Sequence, residues 1–95
     1  MKRYEAMVII RPDLSEDGKN VLLGQLSDAV TKNGGNVSQS ALWAEKRKLF
    51  FPMKKYREGI YYLISFTSPA AAVTKINHAY NLNEDILRVL FTVLE

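Results

Sequence analysis

The 95-residue chain contains no cysteine. That excludes disulfides, thiolate-held metals and a cysteine nucleophile together, and it suits a reducing compartment. It has a single histidine, His78, with no acidic or cysteine neighbour at ligand spacing, so His78 reads as a surface residue rather than a ligand or a base. Long apolar runs are also missing. Residues 6–10, Ala-Met-Val-Ile-Ile, are far too short for a signal-peptide core or a membrane span, so a soluble, cytoplasmic chain is expected. No glycine-rich loop follows them, and Arg11-Pro12-Asp13-Leu14 cannot cradle a phosphate as a P-loop does. Glu84-Asp85 is an acidic pair, but neighbours in a turn rarely converge on one substrate. With no nucleophile and base to assemble, the expectation is no enzyme, no cofactor, no metal and no small-molecule substrate.

What is present suits one compact domain, residues 1–95, with 47% hydrophobic and 24% charged residues. A chain this short buries only about two-thirds of its unfolded surface, so a partner can add materially to its stability. Residues 3–10 alternate as a strand, with Tyr4, Ala6, Val8 and Ile10 on one face and Arg3, Glu5, Met7 and Ile9 on the other. Both faces turn apolar near its end, which predicts a central strand stopped by Pro12. Ser15 is the expected N-cap of a helix carrying Leu22, Leu23, Leu26, Ala29 and Val30 at helical spacing and closed by Asn33-Gly34-Gly35. A second strand is predicted over 36–44, poorly alternating and open to a bulge. After a basic segment, 45–57, Gly59 opens a third strand over 60–67. Ser68 as N-cap with Pro69 at the first helical position starts a second helix, with Ala72, Val73, Ile76, Ala79 and Tyr80 as its apolar stripe. Residues 86–94 make the last strand, with Leu87, Val89, Phe91 and Val93 on one face and Ile86, Arg88, Leu90 and Thr92 on the other.

The order β-α-β-β-α-β is the ferredoxin-like α+β plan. Right-handed crossovers put both helices on one face of a four-stranded antiparallel sheet. The opposite face is left bare and is expected to carry Met7, Ile9, Tyr61, Leu63, Ile86 and Leu90. Such an apolar surface usually marks a partner site, and Met7, Ile9, Tyr61, Leu63 and Leu90 are the candidate partner-binding residues.

The net charge of +3 conceals a concentration of cations. Lys46, Arg47, Lys48, Lys54, Lys55 and Arg57 lie within twelve residues that contain no acid. They read either as a solvated hairpin or as a patch for a polyanion. Phe50, Phe51 and Tyr56 are interleaved with them. Lysines and arginines neutralise phosphates, and aromatics can stack on unpaired bases, although Phe51 suits the sheet core better. The RNA-recognition motif shares this topology, but Gly59-Ile60-Tyr61-Tyr62-Leu63-Ile64 lacks its aromatic and basic string.

Four segments together resemble the bacterial small-subunit ribosomal protein number six family. They are Arg3-Tyr4-Glu5 with Arg11-Pro12-Asp13-Leu14-Ser15; Trp43 through Pro52-Met53-Lys54-Lys55; Gly59 to Tyr62; and Leu82-Asn83-Glu84-Asp85-Ile86-Leu87-Arg88. The family's Trp-Gly and Leu-Ala-Tyr are replaced here by Trp43-Ala44 and Leu49-Phe50-Phe51, with one residue inserted between them. The resemblance implies a place on the ribosome, in the small-subunit platform. There the family binds small-subunit ribosomal RNA alongside the eighteenth small-subunit protein, which covers part of the open sheet face. Residue matching then gives Lys2, Arg3, Lys46, Arg47, Lys54, Lys55 and Arg88 as a contact set. With Lys48 of the same basic window, these are the candidate RNA-binding residues. Two other readings of the topology are a ligand-binding regulatory domain that pairs through its sheet and an acyl-phosphate hydrolase. The first wants glycine or polar ligands after the first strand and the second an arginine cradle there, and Arg11-Pro12-Asp13 supplies neither.

Overall fold

The computed structural model describes residues 1–94, with the side chains of 44–46, 50, 51 and 53 outside the description. The elements run β1 (Lys2–Ile10), α1 (Glu16–Lys32), β2 (Asn36–Met53), β3 (Tyr56–Ser68), α2 (Ala72–Asn81) and β4 (Ile86–Val93). The four strands form one antiparallel sheet in the order β2-β3-β1-β4, so β1 is central, as its two apolar faces predict.

Both helices cover the same face. The core joins Tyr4, Ala6, Val8 and Ile10 of β1 and Ile60, Tyr62, Ile64 and Phe66 of β3 to Leu22, Leu26 and Val30 of α1 and Ala72, Ile76 and Tyr80 of α2. Four aromatic rings run through it. Tyr4 stacks on Phe66 at 5.6 Å between centroids, Phe66 meets Phe91 edge-on at 6.2 Å, and Phe91 stacks on Tyr80 at 5.9 Å. The Tyr80 hydroxyl donates to the Leu26 carbonyl at 2.9 Å, which satisfies a buried polar group and ties α2 to α1.

Local chemistry explains the first helix. The Ser15 hydroxyl accepts from the Gly18 amide at 3.0 Å, Glu16 and Asp17 occupy the first turn, and Gly34 ends the helix at φ 86°. Gly35 must also stay small, because a Cβ there would lie 2.6 Å from the Thr67 carbonyl oxygen. The second helix departs from expectation. Ser68 is the buried last residue of β3, paired with Lys2, and its hydroxyl bonds to the Pro69 carbonyl. The helix begins three residues beyond Pro69, at Ala72, without a side-chain cap.

The sheet corrects three further expectations. β2 does not stop near residue 44 but continues to Met53, and β3 begins at Tyr56 rather than Gly59, so the basic segment is itself a β-hairpin arm. The expected irregularity of β2 is real, with its register against β3 shifting between Val37 and Gln39, Leu42 and Ala44, Ala44 and Arg47, and Lys48 and Met53. In β4, Ile10 pairs with Ile86 while Ile9 pairs with Arg88. The extra residue, Leu87, is a β-bulge. It turns Ile86, only 3% exposed, into the core and away from the open face assigned to it by simple alternation.

Candidate nucleic-acid and partner interface

No helix covers the second face of the sheet. Its centre is an apolar row that crosses all four strands, because Ala41 pairs with Leu63, Leu63 with Met7, and Met7 with Leu90. Met7 and Leu63 are half-buried, and Leu90 is 48% exposed. The row is bordered by Ser65, Glu5 and Thr92 on one side and by Tyr61, Ile9 and Arg88 on the other. Ile9 must be removed from the accessible set. It is 5% exposed, with Gly59 at the base of the arm close against it. A Cβ on Gly59 would stand 2.5 Å from Ile9 Cγ2 and 3.6 Å from Leu49 Cδ2, so the glycine lets the arm approach β1 closely. Four of the five candidate partner-binding residues, Met7, Tyr61, Leu63 and Leu90, therefore remain on the open side.

The arm projects past Ile10, where β1 ends, and its tip returns to the β1–β4 end of the sheet. A two-residue turn, Lys54-Lys55, closes it with φ values of 47° and 73°, the left-handed pattern of a type I′ hairpin turn. Lys54 Nζ donates to the Ile86 carbonyl at 3.1 Å, and the Tyr56 hydroxyl lies 3.4 Å from Asp13 Oδ2. Asp13 and Asp85 in turn flank Arg11 Nε at 3.2 and 3.4 Å. Arg11-Pro12-Asp13 and the Glu84-Asp85 turn thus form a polar anchorage for the arm. Local sequence gives no sign of that role, because the two segments read only as a strand stop and an acidic pair.

The structure divides the candidate RNA-binding cations. Arg47, Lys48, Lys54 and Lys55 are exposed on the arm, and Arg88, paired with Ile9, borders it. Lys2 and Arg3 lie at the opposite end of β1, roughly 25 Å away at the usual rise per strand residue. Lys48 stands opposite Glu58, which offsets part of the local positive charge. The side chains of Lys46, Phe50 and Phe51 lie outside the described residues.

Trp43 emerges as a site residue beyond Phe50, Phe51 and Tyr56, the aromatics that the basic window singles out. It is 51% exposed on the edge strand. Its ring lies 5.7 Å from that of Tyr61, and the Arg47 guanidinium carbon sits over it at 4.8 Å. The only sequence signal is an aromatic four residues before an arginine, and a regular strand would not bring the two together. The register shifts on either side of Ala44 do so.

The helical side offers a cleft of about 350 Å³ lined by Lys32, Asn33, Pro69, Ala71, Ala72 and Lys75. It contains no nucleophile paired with a base. Among the described residues no cluster of three histidines or carboxylates could hold a metal, His78 is exposed, and no helix is long and apolar enough to cross a membrane.

A family model described as ribosomal protein S6 matches residues 3–92. Among solved structures, the 30S ribosomal protein S6 of Thermotoga maritima is similar, with a TM-score of 0.86 and 22% sequence identity over 97% of this chain and 86% of that one. At this identity the structural likeness speaks for the fold, and the family match covers nearly the whole sequence.

Proposed function

The chain belongs to the ribosomal protein S6 family, and from that premise we propose that it binds small-subunit ribosomal RNA together with the eighteenth small-subunit ribosomal protein. The observation that carries this reading is the adjacency of two unlike surfaces. One is the apolar row Leu63–Met7–Leu90 on the helix-free face, and the other is the cationic arm that closes over its margin. An apolar patch with a polar rim suits a protein partner. Clustered lysines and arginines suit phosphates, where each contact releases counterions. The protein partner covers Met7, Leu63 and Leu90, with Tyr61 at the border. Arg47, Lys48, Lys54, Lys55 and Arg88 face the RNA, and Lys46 belongs to the same segment. Lys2 and Arg3, at the far end of β1, reach a second stretch of RNA or the partner. The role is structural, positioning an RNA segment rather than transforming it.

Co-purification with the partner protein tests the apolar half of this proposal. Leu63→Glu should abolish or strongly weaken the heterodimer while the isolated chain keeps its cooperative unfolding. Full retention of the heterodimer would show that this face is not the partner surface.

A further inference from the structure

We propose that Trp43, with Arg47, is a stacking platform for one unpaired nucleobase of the RNA. The inference rests on the reading that the arm meets RNA, and it adds a specific recognition element to a surface otherwise understood as charge. Trp43 is the sole tryptophan of the chain. Indoles are usually well covered in small domains, because they bring the largest apolar surface to a core. This one sits half-exposed on the edge strand, with 51% of its surface accessible. Its orientation is fixed by Tyr61 at 5.7 Å, whose own side chain is half-buried in the open face. The ring is therefore held in place without being hidden.

Arg47 rests on the ring at 4.8 Å and is itself exposed. A surface cation–π contact is weaker than base–aromatic stacking. An arriving base can take the guanidinium's place on the indole, and Arg47 is then free to pair with the neighbouring phosphate in a charge-assisted bond. The exchange leaves neither partner unsatisfied. Charge complementarity favours RNA over a protein as the occupant. The exposed cations Arg47, Lys48, Lys54, Lys55 and Arg57 outnumber the acids beside them, since Asp13 and Asp85 are paired with Arg11 and only Glu58 and Glu45 belong to the arm itself, whereas the apolar row that suits a protein lies further along the sheet.

Fluorescence excited at the red edge of the indole band, where the five tyrosines absorb little, reads this residue alone, since it is the sole tryptophan. The intact chain is titrated at low ionic strength with a single-stranded RNA oligonucleotide and with heparin as a polyanion that has no bases. Single-stranded RNA should quench Trp43, and heparin should bind with far less quenching. In parallel, anisotropy of labelled RNA should show Trp43→Leu weakening single-strand binding about tenfold at an unchanged salt slope, with Trp43→Phe recovering most of the affinity. A Trp43→Leu chain that binds single strands as wild type does overturns the proposal, as does equal quenching by heparin. An indole that responds only to the protein partner also overturns it and assigns Trp43 to that interface. Failure here is separable from failure of the arm itself. If neutralising Lys48 and Lys55 still lowers affinity and salt slope, the arm binds RNA and only the stacking is wrong.

Discussion

Burial holds the Tyr80 phenol protonated, raising its pKa well above the ordinary value of 10.0, while its hydroxyl donates to the Leu26 carbonyl. Tyr80→Phe removes that bond and should cost about 1 kcal/mol at neutral pH in denaturant unfolding. The pH dependence has a definite sign. The folded-state pKa lies above the unfolded one, so the unfolded chain releases this proton first. The contribution is fully present below pH 10 and is lost as pH rises above it, by up to about 1.4 kcal/mol per pH unit. The stability gap between wild type and Tyr80→Phe should therefore narrow in alkaline solution, and a gap that stays constant there would contradict the burial argument. A second residue-scale test concerns Gly59. Its added Cβ would press on Ile9 Cγ2 and stand 3.4 Å from the Ile10 carbonyl. Gly59→Ala should cost about 1–3 kcal/mol in denaturant unfolding through overpacking and expose Ile9 as the arm lifts.

At the scale of elements, the arm is closed by a turn that lysine does not favour. A left-handed residue other than glycine or asparagine costs roughly 1–2 kcal/mol, and Lys54 and Lys55 both take that conformation. Replacing them by Asn-Gly should raise thermal stability, offset in part by removal of the Lys54 bond to the Ile86 carbonyl, while lowering RNA affinity because two cations are gone. Thermal unfolding and RNA binding of this one variant should move in opposite directions. The same turn shows why the arm is hard to read in the sequence. Asn-Gly announces a hairpin, whereas Lys-Lys looks like part of a charged loop. β1, α1 and the face of α2 are legible because their periodicity is local. Ser68-Pro69 misleads because pairing with Lys2 draws Ser68 into the sheet. Ile86 misleads because a bulge at Leu87 breaks the alternation. The cations of the candidate site are visible as a run. The distance of Lys2 and Arg3 from that run follows from the length of β1, whereas the seat of Arg47 on Trp43 lies where β2 shifts register, which composition does not encode.

For the whole molecule, one ferredoxin-like body presents two unlike surfaces, an apolar row on the helix-free face and a cationic arm at its margin. On the proposed reading, the half-exposed apolar row meets a protein and the arm meets phosphates. Filter binding of the partner-bound chain to a small-subunit ribosomal RNA fragment across a series of salt concentrations tests this division. Wild type is compared with Lys48→Gln/Lys55→Gln, which neutralises two exposed arm residues while keeping extended polar side chains. Removing one phosphate interaction should flatten the slope of log affinity against log salt by about 0.7–0.9, so the double variant should flatten it by about 1.5. The drop in affinity should be similar across RNA sequences, because phosphate interactions position rather than specify. Unchanged affinity and slope would mean that the arm is a solvated hairpin and that RNA is held elsewhere, by the partner or by Lys2 and Arg3.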